Sequence, residues 1–200
     1  MHFGFFILLF LCRYTTLHAQ WVEGTSPTKN ALQSVALLTA QEAVIGGSDG
    51  IYKSLDGGKS WLRYRLPSNP ADSLNVEFMN TKQVCFTSAA VGFAAGWNMF
   101  NYGMILKTSD GGIHWEIAYK GPQLGQKVDI SFRAMTFVNQ LVGYVAGTKG
   151  VVLKTVDAGE TWSPVAVDVA AFEGENSYFN SVFFLDEAVG YVAGAGLYRT

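Results

Sequence analysis

The stretch Val152–Trp162 reads VLKTVDAGETW, and it decides the fold because two earlier segments are near copies of it. Ile51–Trp61 reads IYKSLDGGKSW, and Ile105–Trp115 reads ILKTSDGGIHW. The Asp residues of successive copies lie 54 and 47 residues apart. A period of this length predicts a repeat architecture in which each copy belongs to one supersecondary unit.

A second motif precedes the later copies. Val91–Gly96 reads VGFAAG, Val142–Gly147 reads VGYVAG and Val189–Gly194 reads VGYVAG, while Ala43–Gly47 (AVIGG) is a degenerate version in the first unit. The last of these begins a fourth unit, in which Leu197–Thr200 (LYRT) matches the start of the first copy. The chain therefore holds three complete units and one partial unit.

Each unit divides into four short strands that are separated by turns rich in Gly, Asn and Asp. In the third unit the predicted strands are Asp129–Val138, Gly143–Ala146, Val151–Thr155 and Thr161–Val167. Four-stranded antiparallel units at this period are typical of propeller blades. We therefore predict an all-β fold, a β-propeller of four-stranded antiparallel blades.

The pattern Ser/Thr-x-Asp-x-Gly-x-x-Trp in the three copies resembles the Asp-box of BNR-like propellers. Asp-boxes are found in sialidases, sortilin-type receptors and photosystem II assembly factors. The combination of VGYVAG with the box is most similar to the photosystem II assembly and stability factor propellers. That resemblance implies a propeller of seven blades in the full-length protein, of which about three and a half lie in this chain.

The box residues are predicted to be structural. The Asp carboxylate and the Ser/Thr hydroxyl can accept hydrogen bonds within the turn, Gly permits a positive φ, and Trp fills the space between blades. A catalytic or calcium-binding carboxylate is the alternative, but one Asp in every blade argues for a repeated turn. The residues are Ser54, Asp56, Gly58, Trp61, Thr108, Asp110, Gly112, Trp115, Thr155, Asp157, Gly159 and Trp162.

An insertion between the second and third strands of the second unit supplies the candidate binding loop. Gly96–Gly103 carries Trp97, Phe100 and Tyr102, which are more aromatic side chains than a tight turn needs. Exposed aromatics in a loop favour contact with a protein or a sugar. The alternative is that these side chains fold back over the blade as a small local core.

The composition excludes several classes of function. A formal charge of −2 argues against a nucleic-acid binder, and 49% hydrophobic residues argue against disorder. Beyond the first 19 residues the chain holds one His, His114, and one Cys, Cys85. A Cys/His zinc site is thereby excluded, and a catalytic triad would have to use His114. We expect no cofactor and no metal ion.

The N-terminus is predicted to direct export. Phe3–Cys12 is an apolar run of h-region length, and Ala19 is an acceptable cleavage residue. Residues 1–19 are therefore a predicted signal peptide, which places the protein in the periplasm, at the cell surface or outside the cell. No later segment approaches the length of a transmembrane helix. A buried N-terminal strand is the alternative.

These patterns give the predicted domain organisation. Residues 20–30 form an N-terminal segment that is a candidate ring-closing strand, and residues 31–200 form the Asp-box propeller. The blades span approximately residues 31–66, 74–120, 127–168 and 176–200. Because the last unit stops at the start of its box, we expect the chain to be part of a longer protein.

Three functions remain open at this stage. The first is an exported, non-catalytic propeller that serves as an assembly scaffold and binds a protein or a glycan. The second is a sialidase-type glycoside hydrolase, which would need an arginine cluster and paired carboxylates; beyond the leader the arginines are Arg63, Arg65, Arg133 and Arg199. The third, implied by the resemblance, is a photosystem II assembly factor.

Overall fold

The computed structural model describes residues 21–64, 79–98, 101–121, 130–167 and 178–200, and these form β-strands and no helix. Blade 1 consists of β1 (Leu32–Leu37), β2 (Ala43–Gly47), β3 (Gly50–Ser54) and β4 (Leu62–Tyr64). Blade 2 consists of β5 (Met79–Phe86), β6 (Gly92–Asn98), β7 (Gly103–Thr108) and β8 (Glu116–Lys120). Blade 3 consists of β9 (Phe132–Phe137), β10 (Gly143–Gly147), β11 (Val152–Thr155) and β12 (Ser163–Pro164). Blade 4 consists of β13 (Phe179–Phe184), β14 (Gly190–Gly194) and β15 (Leu197–Arg199).

Every blade is an antiparallel meander in which strands pair in chain order. Three sheets have four strands and the last has three, so the predicted all-β propeller architecture is confirmed. The first strand of each blade contacts the first strand of the next, which places β1, β5, β9 and β13 at the inner edge of the blades. Among the described residues, none belongs to a helix of the length and apolarity needed to cross a bilayer.

The fourth strand of blade 3 is shorter than the sequence predicts. The expected strand covers residues 161–167, whereas β12 covers only Ser163–Pro164. Pro164 lacks an N–H group, so the ladder cannot continue regularly through it at this outer edge. The N–H of Val165 still donates to the Val152 carbonyl at 2.9 Å, which holds the following residue against the sheet.

Three apolar clusters join successive blades. The first contains Val44 and Ile51 of blade 1 with Val84 and Leu106 of blade 2. The second joins blades 2 and 3, and the third joins blades 3 and 4 in the same manner. The core of this fold therefore lies between the sheets, and each blade depends on its neighbours for burial.

A glycine opposite a phenylalanine recurs where the first and second strands pair. A Cβ on each of these glycines would lie only 2.3–2.6 Å from the ring that covers it. The pairs are Gly92–Phe86, Gly143–Phe137 and Gly190–Phe184. Blade 1 has Ala43 opposite the smaller Leu37 instead. The strand formed by the VGYVAG motif therefore begins with glycine, because the phenylalanine ring on the neighbouring strand occupies the space that a side chain would need.

Several predicted features lie outside the described residues, namely the leader (residues 1–19), Arg65 and Phe100. Residues 21–30 form no strand in the structure but contact blade 1. Thr28 and Asn30 donate hydrogen bonds to the Asp49 carboxylate, both at 3.0 Å.

Candidate functional site

The Asp-box of blade 1 is a turn that is closed by its own side chains. The Ser54 hydroxyl donates to Asp56 Oδ1 at 2.8 Å and accepts the N–H of Gly58 at 2.8 Å. Ser60 donates its N–H to Asp56 Oδ1 at 2.9 Å and its hydroxyl to Oδ2 at 2.6 Å. Both carboxylate oxygens are therefore occupied within the turn.

The other two boxes repeat this geometry. In blade 3, Thr155, Asp157, Gly159 and Thr161 make the same four bonds at 2.6–2.9 Å. In blade 2 the same carboxylate position is occupied by Asp110, and His114 takes the place of the last hydroxyl. Its Nδ1 lies 2.6 Å from Asp110 Oδ2, and its side chain is 83% exposed. The one histidine of the described residues thus belongs to a turn.

These contacts lower the pKa of each box carboxyl group. Hydrogen bonds from the Ser60 hydroxyl and N–H lower the pKa of Asp56 to about 2, and those from Thr161 lower that of Asp157 to about 2. For Asp110, desolvation raises the pKa, but the hydrogen bonds from His114 outweigh it and hold the pKa well below its usual value. Such carboxylates are poorly matched to proton transfer near neutral pH. The described residues also contain no cluster of three or more metal-ligating side chains.

Two of the three box tryptophans lie between blades. Trp115 is 4% exposed and joins the cluster of Val44 and Ile51 on the preceding blade. Trp162 is likewise buried, with its ring 6.4 Å from that of Phe93 in an edge arrangement. Trp61 is only half-buried, and its Nε1 donates to the Thr25 carbonyl at 2.9 Å.

Lysines on the third strands tie the blades together beside these tryptophans. Lys53 is buried, and its Nζ donates to the Gly111 carbonyl in the box of blade 2 at 2.9 Å. It also lies 3.2 Å from Glu42 Oε2. Lys107, at the same repeat position in blade 2, pairs with Glu160 in the box of blade 3. The boxes therefore serve as contacts between blades as well as turns.

The predicted binding loop is largely a longer hairpin. Trp97 lies within β6, opposite Gly103 of β7, and is half-buried. The Asn98 N–H donates to the Tyr102 carbonyl and the Tyr102 N–H donates to Asn98 Oδ1, both at 3.0 Å. The insertion therefore lengthens both strands, and of the three aromatics only Trp97 and Tyr102 are among the described residues.

A set of polar residues that the sequence analysis did not single out occupies one repeat position on the four first strands. Each lies four residues before the final residue of its strand, and each falls where the pairing of the first and second strands is interrupted by a β-bulge. We call this set the inner ring; its members are Gln33, Lys82, Arg133 and Asn180. Bulges re-aim side chains and occur often at functional sites.

Hydrogen bonds connect the inner ring across blades. Lys82 Nζ donates to Gln33 Oε1, and Gln33 Nε2 donates to Asn80 Oδ1 at 2.9 Å. Arg133 Nη1 donates to Asn180 Oδ1 at 3.0 Å. The ring lies at the end of the blades opposite the Asp-boxes, because it adjoins the last residues of the second strands.

Both cations of the inner ring lie over aromatic rings. Lys82 Nζ is 6.0 Å from the centroid of the Trp97 ring, and Arg133 Cζ is 4.9 Å from that of Tyr178. The Nε atom of Arg133 is buried and has no hydrogen-bond partner. A buried donor without a partner is costly unless a water molecule or a ligand supplies the acceptor. The inner ring therefore places two cations, each beside an aromatic ring, at one end of the blades.

The family model described as Photosynthesis system II assembly factor YCF48 matches residues 70–171, which is about half of the chain. The chain belongs to this family. The match covers blades 2 and 3, which contribute Lys82, Arg133 and two of the three Asp-boxes. Among curated proteins, none matches the chain significantly.

Solved structures show the same fold. YCF48 from Cyanidioschyzon merolae has 15% identity and a TM-score of 0.62, over 90% of this chain and 59% of that one. YCF48 bound to D1 peptide has 14% identity and a TM-score of 0.58, over 86% and 56%. A Niastella koreensis GH74 enzyme has 16% identity and a TM-score of 0.55, over 84% and 28%. This chain therefore spans less than two thirds of the YCF48 structures that it resembles.

Proposed function

We propose that this YCF48-family chain is a non-catalytic assembly scaffold that binds a protein segment across the inner ring. The observation that carries the proposal is the Arg133 guanidinium, which stacks on Tyr178 and keeps a buried Nε without a partner. Arginine recognises carboxylates and carbonyl groups through several donors in a fixed geometry. We infer that the bound segment is extended and carries a carboxylate.

The second cation supports the same partner chemistry. Lys82 lies beside Trp97, which offers an apolar surface next to the charge. Pairs of a cation and an aromatic ring suit a peptide that combines acidic and apolar side chains. A related YCF48 has been solved bound to D1 peptide, which agrees with a protein partner for this chain.

The described inner ring lacks the acidic side chains that most glycosidases use. Retaining and inverting glycosidases generally use two acidic groups at the bond that is cleaved. None of the four inner-ring residues, Gln33, Lys82, Arg133 and Asn180, is acidic. The described box carboxylates accept hydrogen bonds within their own turns. We therefore favour a scaffold over a hydrolase, and we further propose that the scaffold is exported.

Fluorescence anisotropy with labelled short peptides tests the binding proposal. Panels rich in Asp and Glu, in Lys and Arg, and in Ser and Gly should be compared on the wild-type chain. We expect the acidic panel to bind preferentially and Arg133→Gln to weaken it by roughly 10-fold, the loss expected for one charged hydrogen bond.

Lys59→Gln is the matched control, because it removes one charge from an exposed position in the Asp-box turn of blade 1, at the opposite end of the blades. It should leave the affinity unchanged. Equal binding of all three panels, an equal loss for both variants, or hydrolysis of an aryl sialoside by the wild-type chain would contradict the proposal.

A further inference from the structure

A polar cleft of about 300 Å³ lies between blades 2 and 3, at the end of the blades that carries the Asp-boxes. Its lining includes Ser109 and Glu116 of blade 2 and Glu160 of blade 3, and all three side chains are exposed. Both blades are complete four-stranded sheets. The cleft is therefore bounded on each side by a sheet whose strands are all present. We call it the acidic cleft.

The acidic cleft is open because a small residue stands where blade 1 has a large one. Tyr64, three residues after the box tryptophan of blade 1, packs against the apolar cluster between blades 1 and 2. Ala118 has the same place in blade 2 and lines the cleft. The side chain of Lys107 in the cleft is 21% exposed, whereas Lys53 at the same repeat position is buried. The junction of blades 2 and 3 is therefore accessible from outside.

Three repeat positions carry different chemistry at this junction and at the preceding one. They are the residue before the box Asp, the residue after the box Trp, and the residue two places before the Trp of the next blade. Between blades 2 and 3 they are the three cleft residues named above. Between blades 1 and 2 they are Leu55, Leu62 and Ile113, which are 54%, 58% and 41% exposed. We call these three the apolar patch, and it lies one junction away from the acidic cleft.

The charges of the acidic cleft favour a cationic group. The lining carries two glutamates and one lysine, and the ammonium of Lys107 is already paired with Glu160. Glu116 lies exposed at the start of β8, so the cleft keeps a net negative charge. His114 also lines the cleft, and its Nδ1 contacts the Asp110 carboxylate. A neutral imidazole that donates from Nδ1 can accept a further hydrogen bond at Nε2.

We propose that the apolar patch and the acidic cleft form one docking surface for a protein segment that carries a lysine or arginine beside apolar side chains. The cationic head lies between Glu116 and Glu160, and its methylene groups pack on Ile117 and Ala118, which also line the cleft. The apolar side chains of the segment cover the apolar patch. This surface lies at the opposite end of the blades from the inner ring. The scaffold therefore holds a basic partner at one end and an acidic partner at the other.

Fluorescence anisotropy with labelled short peptides tests the partner chemistry. One panel combines Lys with Leu, a second combines Lys with Ser, and a third combines Ser with Leu. We expect the Lys–Leu panel to bind the wild-type chain preferentially. Glu116→Gln should weaken that binding roughly 10-fold and Leu62→Ser roughly 5-fold, because each removes one half of the surface. None of these peptides is acidic, so the result is independent of binding at the inner ring.

Two matched variants separate this surface from the rest of the chain. Glu23→Gln removes one carboxylate from an exposed position in the N-terminal segment. Leu141→Ser removes a leucine side chain of blade 3 that is 56% exposed, close to the value for Leu62. Both should leave the affinity for the Lys–Leu panel unchanged. Equal binding of the three panels, or an equal loss for a variant and its control, would overturn the proposal.

Disulfide trapping tests whether the basic residue enters the cleft. In a Cys12→Ser background, Ser109→Cys should react rapidly with a Lys–Leu peptide that carries an activated cysteine next to its lysine. Burial raises the pKa of the Cys85 thiol to about 12, so this residue does not compete. Val156→Cys is the control, because Val156 has the same repeat position in blade 3 and is 61% exposed. It should react more slowly, and equal rates at the two positions would contradict binding in the cleft.

Discussion

The Asp-box of blade 1 and the box of blade 3 have the same internal hydrogen bonds but different surroundings. In both, the carboxylate accepts one hydroxyl hydrogen bond at 2.6 Å and another at 2.8 Å. A Cβ on Gly159 of blade 3 would meet Phe93 of the preceding blade, whereas a Cβ on Gly58 of blade 1 would meet only Trp61 of its own turn. The comparison separates two roles of the box, closing a turn and joining blades.

Removal of the tryptophans should show the largest difference. Trp115→Ala removes a buried indole between blades 1 and 2 and should lower the free energy of unfolding by about 3–5 kcal/mol. Trp61→Ala removes a half-buried indole from the box of blade 1 and should lower the free energy of unfolding by about 1 kcal/mol. Urea denaturation measures both, and equal losses would contradict the distinction between the boxes.

Adding a methyl group to the box glycines should have the next largest effect. A Cβ on Gly159 would lie 2.3 Å from the Phe93 ring at a φ of +78°, so Gly159→Ala should cost about 2–4 kcal/mol. The control is Gly58→Ala, at a φ of +84° but with its nearest neighbour 3.5 Å away. It should cost about 1 kcal/mol from backbone strain alone. If the two thermal denaturation midpoints fell equally, strain and not packing would explain both.

The interblade lysine should give a smaller loss. Lys53→Met leaves the Gly111 carbonyl and Glu42 without the ammonium and should destabilise by about 1.5–3 kcal/mol. Lys154→Met, at the same repeat position in blade 3, serves as the control, because the described contact of its ammonium is with the Tyr144 ring. We expect a change below about 1 kcal/mol for it in chemical denaturation. A larger effect at Lys154 than at Lys53 would contradict the assignment.

Acidification should act on the turns and produce the mildest effect. The pKa of Asp56 falls from its ordinary value of 3.8 to about 2 on folding. A lowered pKa means that the turn stabilises the fold above pH 3.8 and loses this contribution as the pH falls toward 2. Asp56→Asn should therefore flatten the pH dependence of the urea midpoint between pH 5 and pH 2, a range that we choose to bracket both values. Glu116→Gln, at an exposed position of β8, should leave the slope as in the wild type; an unchanged slope for Asp56→Asn would refute the link.

The repeated parts of the fold could be predicted because the same residue at the same repeat position makes the same contacts in each blade. Asp110 and Asp157 have the same hydroxyl partner two residues earlier, so spacing alone predicted the turn. Burial of Trp115 also followed from its place in the repeat. The half-buried position of Trp61 did not follow from its place in the repeat, because the burial of a box tryptophan depends on the blade against which it packs.

The inner ring was missed because its members are chemically unlike one another. Gln33, Lys82, Arg133 and Asn180 share a position only when the blades are aligned on the last residue of the first strand. The β-bulges that turn these side chains leave no composition signal of their own. Aligning all four first strands, with attention to polar residues, could have found them.

Hydrogen exchange at the box glycine amides tests most directly the claim that the box has two roles. The N–H groups of Gly112 and Gly159 donate to threonine hydroxyls at 2.9 Å in buried positions, while that of Gly58 donates to Ser54 at 2.8 Å in a partly buried one. We predict that Gly112 and Gly159 exchange only with global unfolding and that Gly58 exchanges through local opening. Equal protection of the three amides would contradict the account.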